Sequence, residues 1–95
     1  MRLTKRQIET VRNLVGAAMG EGSRIWLFGS RADDRRRGGD VDLYVEPERF
    51  PALLEEARCR GRLAEELDLK VDLVVARPGR YRPIDLIARA TGVPL

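Results

Sequence analysis

Three aspartates, a glycine-serine turn and an arginine are the residues of this chain whose types and spacing could do chemistry. Asp40 and Asp42 flank a single apolar residue in Asp40-Val41-Asp42-Leu43, and Asp72 stands in a similar setting in Val71-Asp72-Leu73. Side chains two apart in a strand point to one face. Asp40 and Asp42 should therefore project together while Val41 and Leu43 face a core. On a later strand Val71, Leu73 and Val75 would share one face and leave Asp72 on the other. Carboxylates set side by side on an otherwise apolar strand repel each other and lose solvation, a cost that a cation between them offsets. Hard divalent metals take oxygen ligands, and magnesium, held by carboxylates together with substrate phosphates, fits best. If the two strands are neighbours, Asp72 completes a triad. Three such carboxylates can hold two ions about 3.5–4 Å apart, the spacing that clamps attacking and leaving oxygens in phosphoryl transfer.

Gly29-Ser30-Arg31 supplies the other half of a nucleotide site. It follows the apolar run Ile25-Trp26-Leu27-Phe28, and nine residues separate Ser30 from Asp40. Glycine lets the backbone approach phosphate oxygens, and a turn after a strand exposes amide N–H groups to them. The Ser30 hydroxyl adds a donor and Arg31 a neutralising charge. Each part has a plain alternative: a Gly-Ser turn, a solvated strand edge for Asp40 and Asp42, an ion pair with Lys70 for Asp72. The combination, in this order, is what points to nucleotide chemistry.

The elements that must position these residues follow from periodicity. Thr4 with Gln7 reads as a capping box opening a helix whose apolar face is Ile8, Val11, Leu14, Val15, Ala18 and Met19. Residues 25–28 read as a strand, 31–39 as a polar loop, and 41–45 as a second strand. A helix after Pro51 would turn Leu53, Leu54, Ala57, Ala64 and Leu67 inward. Residues 71–76 form a third strand, and Pro83 opens a last short helix through Ala90. Helix, strand, strand, helix, strand, helix is an α/β or α+β arrangement: a small mixed sheet of three or more strands with helices packed on it, in one domain over residues 1–95. Trp26 and Phe28 could serve the core or an interface, while Glu46, Asp33 and Asp34 read as solvated loop charges.

Composition removes several classes. The 95 residues are 43% hydrophobic and 35% charged, as in a globular chain rather than a disordered one. No apolar run approaches a membrane span, and the N-terminus lacks the apolar stretch of a secretory signal. Cys59 is the sole cysteine, so no internal disulfide can form, which suits a reducing cytoplasm. The absence of histidine excludes every histidine base and histidine-ligated metal. A net charge of +3 and the Arg35-Arg36-Arg37 run give some attraction for nucleic acid. With no aromatic residue among them, a base-stacking platform is poorly supported, and an RNA-directed role is disfavoured. A chain this short buries a limited core, so a partner or a second copy covering apolar surface fits it.

The pattern Phe28-Gly29-Ser30, a nine-residue spacer, Asp40-Val41-Asp42-Leu43 and then Val71-Asp72-Leu73 resembles the polymerase-beta-like nucleotidyltransferase superfamily. The Gly-Ser-Arg-Ala form of its first element is typical of the minimal nucleotidyltransferase branch. Gly39 and the arginine-rich spacer depart from the commonest pattern without touching a candidate ligand. The resemblance implies the nucleotidyltransferase fold, ATP as substrate and two Mg2+ ions. Asp40 and Asp42 would bind both ions, and Asp72 would bind the one beside the acceptor hydroxyl and serve as general base. Gly29, Ser30 and Arg31 would hold the β- and γ-phosphates while pyrophosphate leaves. Minimal members are similar to antitoxins encoded beside a small all-helical HEPN protein, a ribonuclease toxin, to whose tyrosine they transfer AMP. The competing reading is a binding module that neutralises a partner by association alone.

Overall fold

The first helix begins as its sequence dictates. Thr4 Oγ1 accepts a hydrogen bond from the Gln7 amide at 3.1 Å, and Gln7 Oε1 accepts one from the Thr4 amide at 2.8 Å. Two otherwise orphaned donors are thereby satisfied. Helix α1, Lys5–Met19, buries Val11, Val15 and Met19, with Ile8, Leu14 and Ala18 packed at the margin. The computed structural model describes residues 3–29 and 40–95, and the loop expected at 31–39 lies outside them.

Strand β1, Arg24–Phe28, lies antiparallel to β2, Val41–Glu46, with Leu27 opposite Leu43 and Phe28 opposite Asp42. Helix α2, Leu53–Leu67, carries the chain back so that β3, Val71–Val75, runs parallel to β2. Helix α3, Pro83–Thr91, then leads to a two-residue strand β4, Val93–Pro94, antiparallel to β1. Among the described residues the sheet order is β3-β2-β1-β4, mixed in direction. This is the expected α+β arrangement, with a fourth strand that the periodicity missed. Two residues are too few to show alternation, and a proline is tolerated there because β4 is an edge strand.

One face of the sheet is apolar. Ile25, Leu27, Val41, Leu43, Val45, Val71 and Val75 are buried beneath α1 and α2, each such side chain contributing about 1.5–3 kcal/mol on burial. The inward face expected for α2 is corrected by the structure. Leu53 and Leu54 are 78% and 60% exposed and Ala57 is exposed, whereas Cys59, Leu63 and Leu67 are buried, with Ala64 beside them. The buried stripe runs at spacing four through 59, 63 and 67, and three residues before Cys59 it reaches the partly buried Glu56. That carboxylate pairs with Arg77 at 2.7 Å, and Arg77 also donates to the Pro51 carbonyl at 2.7 Å. A cysteine and a paired glutamate on the inward stripe disguised its phase. Among the described residues no helix is long and apolar enough to cross a membrane.

Candidate active site

The second face of the sheet carries Asp42, Tyr44 and Glu46 from β2, Asp72 and Val74 from β3, and Trp26 and Phe28 from β1, in lateral register. Parallel pairing of β2 with β3 sets Asp42 directly beside Asp72, the adjacency the sequence could only make conditional. Neighbouring strands are about 4.8 Å apart, so the two carboxylates cannot avoid each other. Asp42 is partly buried, and Asp72 is exposed. Burial first, then the charge of Asp72, a proton that the two carboxyls can share, and the charge of Asp40 push the Asp42 carboxyl above its ordinary range, with Lys70 pulling the other way.

Asp40 stands at the entrance to β2. The Val41 amide donates to the Lys70 carbonyl at 2.9 Å, tying the start of β2 to the residue before β3. Lys70 Nζ lies 3.7 Å from Asp40 Oδ2. Both side chains are exposed enough for this pair to contribute little to stability. The ion pair considered for Lys70 thus forms with Asp40 rather than Asp72.

Gly29 closes β1 against the same carboxylate. Its φ is +74°, a left-handed conformation that glycine adopts without cost. A Cβ at this position would collide with the Asp42 carboxylate, lying 3.1 Å from its Cγ. Position 29 is therefore restricted to glycine twice over, by backbone conformation and by the approach of Asp42. Ser30 and Arg31 lie outside the described residues.

The donor set suits a hard divalent cation: oxygen ligands only, on adjacent strands, destabilised as a pair of free anions. Asp42 and Asp72 form that pair, while Asp40 faces Lys70. Among the described residues no group of three or more His, Cys, Asp or Glu side chains converges on a single ion position. The structure thus brings two of the three aspartates together and sets the third at the strand entrance.

Further along the same face is a cluster that periodicity did not reveal. Tyr44 is fully buried, and its hydroxyl donates to Asp85 Oδ1 at 2.7 Å. Asp85 also accepts from the Arg82 amide at 2.6 Å through Oδ2, capping α3. Burial alone would raise Asp85, but the bonds from the Arg82 amide, the Tyr44 hydroxyl and the Arg82 guanidinium outweigh it and hold its carboxyl below the usual range. Arg89 reaches back from α3 to Glu46 at 2.9 Å and stands 6.0 Å and 5.7 Å from the Trp26 and Tyr44 ring centroids. Trp26 in turn packs on Tyr44 with ring centroids 5.7 Å apart. Glu46, expected as a solvated loop charge, is instead the last residue of β2, partly exposed and paired with Arg89 of α3. Asp85 three residues after Arg82 was the available signal, since an acidic N3 residue marks a helix start. Between the end of β3 and the start of α3 lies a cleft of about 490 Å³ whose lining includes Tyr44, Ala76, Tyr81, Pro83 and Leu86.

No known protein-family model matches the chain, and no curated protein matches it. Solved structures do. A toxin–antitoxin structure with AMP-PNP contains a chain similar to this one at TM-score 0.75 and 22% identity, over 97% of this chain and 72% of that one. Two structures of the toxin–antitoxin MntA-HpeT also match. One carries a tyrosine-to-alanine mutation, at TM-score 0.69 and 22% identity over 98% of this chain and 71% of that one. The other carries two aspartates changed to glutamate, at TM-score 0.70 and 20% identity over 97% and 71%. At these identities the likeness shows a shared fold, the α+β arrangement expected from the sequence.

Proposed function

We propose that the chain is a metal-dependent nucleotidyltransferase that moves AMP from ATP to a hydroxyl acceptor, a tyrosine of a helical HEPN-type partner, as the cytoplasmic antitoxin of a toxin–antitoxin pair. The observation that carries this reading is the register of Asp42 beside Asp72 on the open sheet face, with the Gly29 turn packed against Asp42. The shared fold supports it, because the similar structures are toxin–antitoxin complexes and one was solved with AMP-PNP. The mutated aspartates in another are two positions apart, the spacing of Asp40 and Asp42.

Magnesium, when bound, would neutralise phosphate charge and stabilise the departing pyrophosphate. Asp42 and Asp72 would hold it, with Asp40 at the rim. The Gly29 turn, Ser30 and Arg31 would hold the β- and γ-phosphates. Asp72, the exposed member of the pair, would take the proton from an acceptor hydroxyl arriving from solvent. What these residues contribute is positioning and charge stabilisation.

The test is transfer itself. The chain is incubated with magnesium, ATP labelled at the α-phosphate, and the protein encoded beside its gene. Label should pass to that protein and fall by at least about a hundredfold in Asp42→Ala, the scale of losing a key electrostatic group. If Asp40→Ala and Asp42→Ala neutralise the partner as well as the parent does, with no label transferred, the protein acts by association and this reading is wrong.

A further inference from the structure

The chain contains two tyrosines, and the structure treats them oppositely. Tyr44 is sealed in the sheet with its hydroxyl bonded to Asp85, so it cannot reach another molecule. Tyr81 is 94% exposed. It follows a tight turn closed by the Arg77–Arg80 bridge, in which Gly79 has φ +74°, and it precedes Pro83, the first residue of α3. The phenol projects outward between the turn and the helix. Arg80 and Arg82 flank it. Arg82 is engaged with Asp85 and the Val75 carbonyl, whereas Arg80 has no ion-pair partner among the described residues. A guanidinium next to an outward phenol is the setting in which an incoming triphosphate meets compensating charge.

Resting on the nucleotidyltransferase reading above, we propose that Tyr81 is an acceptor for the protein's own activity, adenylylated by a second copy. The Tyr81 hydroxyl oxygen attacks the α-phosphorus of ATP held by the other molecule. One phosphorus–oxygen bond forms, and the bond from the α-phosphorus to the oxygen bridging to the β-phosphate breaks. Pyrophosphate leaves with that electron pair, and the phenolic proton passes to an acidic side chain of the site or to water. The fold favours transfer between molecules over transfer within one. Asp72 sits near the start of β3, and Tyr81 lies beyond its other end, with about 10 Å of strand from Asp72 to Val75 at 3.3 Å per residue before the turn begins. The product carries a phosphodiester anion beside Arg80 on a surface that also exposes Leu86 and Ile87, so modification would change the charge and the apolarity of that surface together.

The full chain is incubated with ATP and magnesium, and the modified residue is located by peptide mass spectrometry. The expected result is one adenylyl group per chain, on Tyr81, at an initial rate that rises with the square of protein concentration. Tyr81→Phe should lose the mark while still labelling an external partner. In a mixture, Tyr81→Phe should mark the inactive Asp42→Asn chain on its Tyr81, which neither variant achieves alone. Transfer to the external partner with Tyr81 left bare, or a mark on another residue, overturns this proposal and leaves the nucleotidyltransferase reading intact. Absence of transfer to any acceptor overturns both.

Discussion

The two faces of one strand show how differently this small protein treats its side chains. On β2, Val41, Leu43 and Val45 point one way and are completely buried under α1 and α2. Asp42, Tyr44 and Glu46 point the other way and form, in order, half of a carboxylate pair, the buried anchor of α3, and the ion-pair partner of Arg89. The first face is held by non-directional burial, so any well-fitting apolar set would serve it. The second depends on particular atoms at particular distances. Stability should therefore be concentrated on the first face and chemistry on the second, where a polar cluster also holds α3.

The largest effect on stability should come from opening the buried face. Leu27→Ala or Leu43→Ala should cost about 2–5 kcal/mol in denaturant unfolding. A loss below 1 kcal/mol would mean that the helical layer repacks easily and that the two faces differ little in what holds them. Gly29→Ala should cost about 1–2 kcal/mol for the left-handed backbone and also abolish nucleotide binding, as the new methyl displaces Asp42. If binding survives in calorimetry, the Gly29 turn does not shape the site.

Tyr44→Phe removes the hydroxyl bonded to Asp85 and should cost about 1–3 kcal/mol at neutral pH. The pH dependence has a definite sign. Because the folded-state pKa of Asp85 is lowered, its ionised form stabilises the fold above its unfolded value of about 3.9. That stabilisation disappears as pH falls through the lowered value. The acid limb of the thermal melting curve should be shallower in Tyr44→Phe than in the parent, and parallel limbs would show that the Tyr44–Asp85 bond is not what lowers Asp85. Smallest is Thr4→Ala, at about 1 kcal/mol for the lost cap, read as a fall in melting temperature with the site unchanged.

Much of the architecture was legible because its signals are local. The Thr4–Gln7 box, the apolar stripe of α1, the alternation in β2 and β3, and Pro83 at the head of α3 all lie within a few residues of one another. What failed was nonlocal. The phase of α2 depends on Glu56 finding Arg77 on a distant loop, and β4 exists because two residues happen to meet the edge of β1. For the candidate site, Asp40, Asp42 and Asp72 could be singled out by alternation. Their spatial relation is set by the parallel pairing of β2 with β3, which no short-range pattern encodes. The bond between Tyr44 and Asp85 could not be read because 41 residues separate them, and the helix-start position of Asp85 says nothing of a distant partner.

The account rests on Asp42 and Asp72 together forming a cation site on adjacent parallel strands. Paramagnetic broadening of backbone amide resonances by substoichiometric Mn2+, an oxygen-seeking stand-in for magnesium, tests this without requiring turnover. Amides of residues 41–43 and 71–73 should broaden first, and Asp42→Asn should abolish the effect while leaving the melting temperature equal or higher, since a half-buried charge facing another has been removed. Broadening centred elsewhere, or unchanged in Asp42→Asn, would contradict the account.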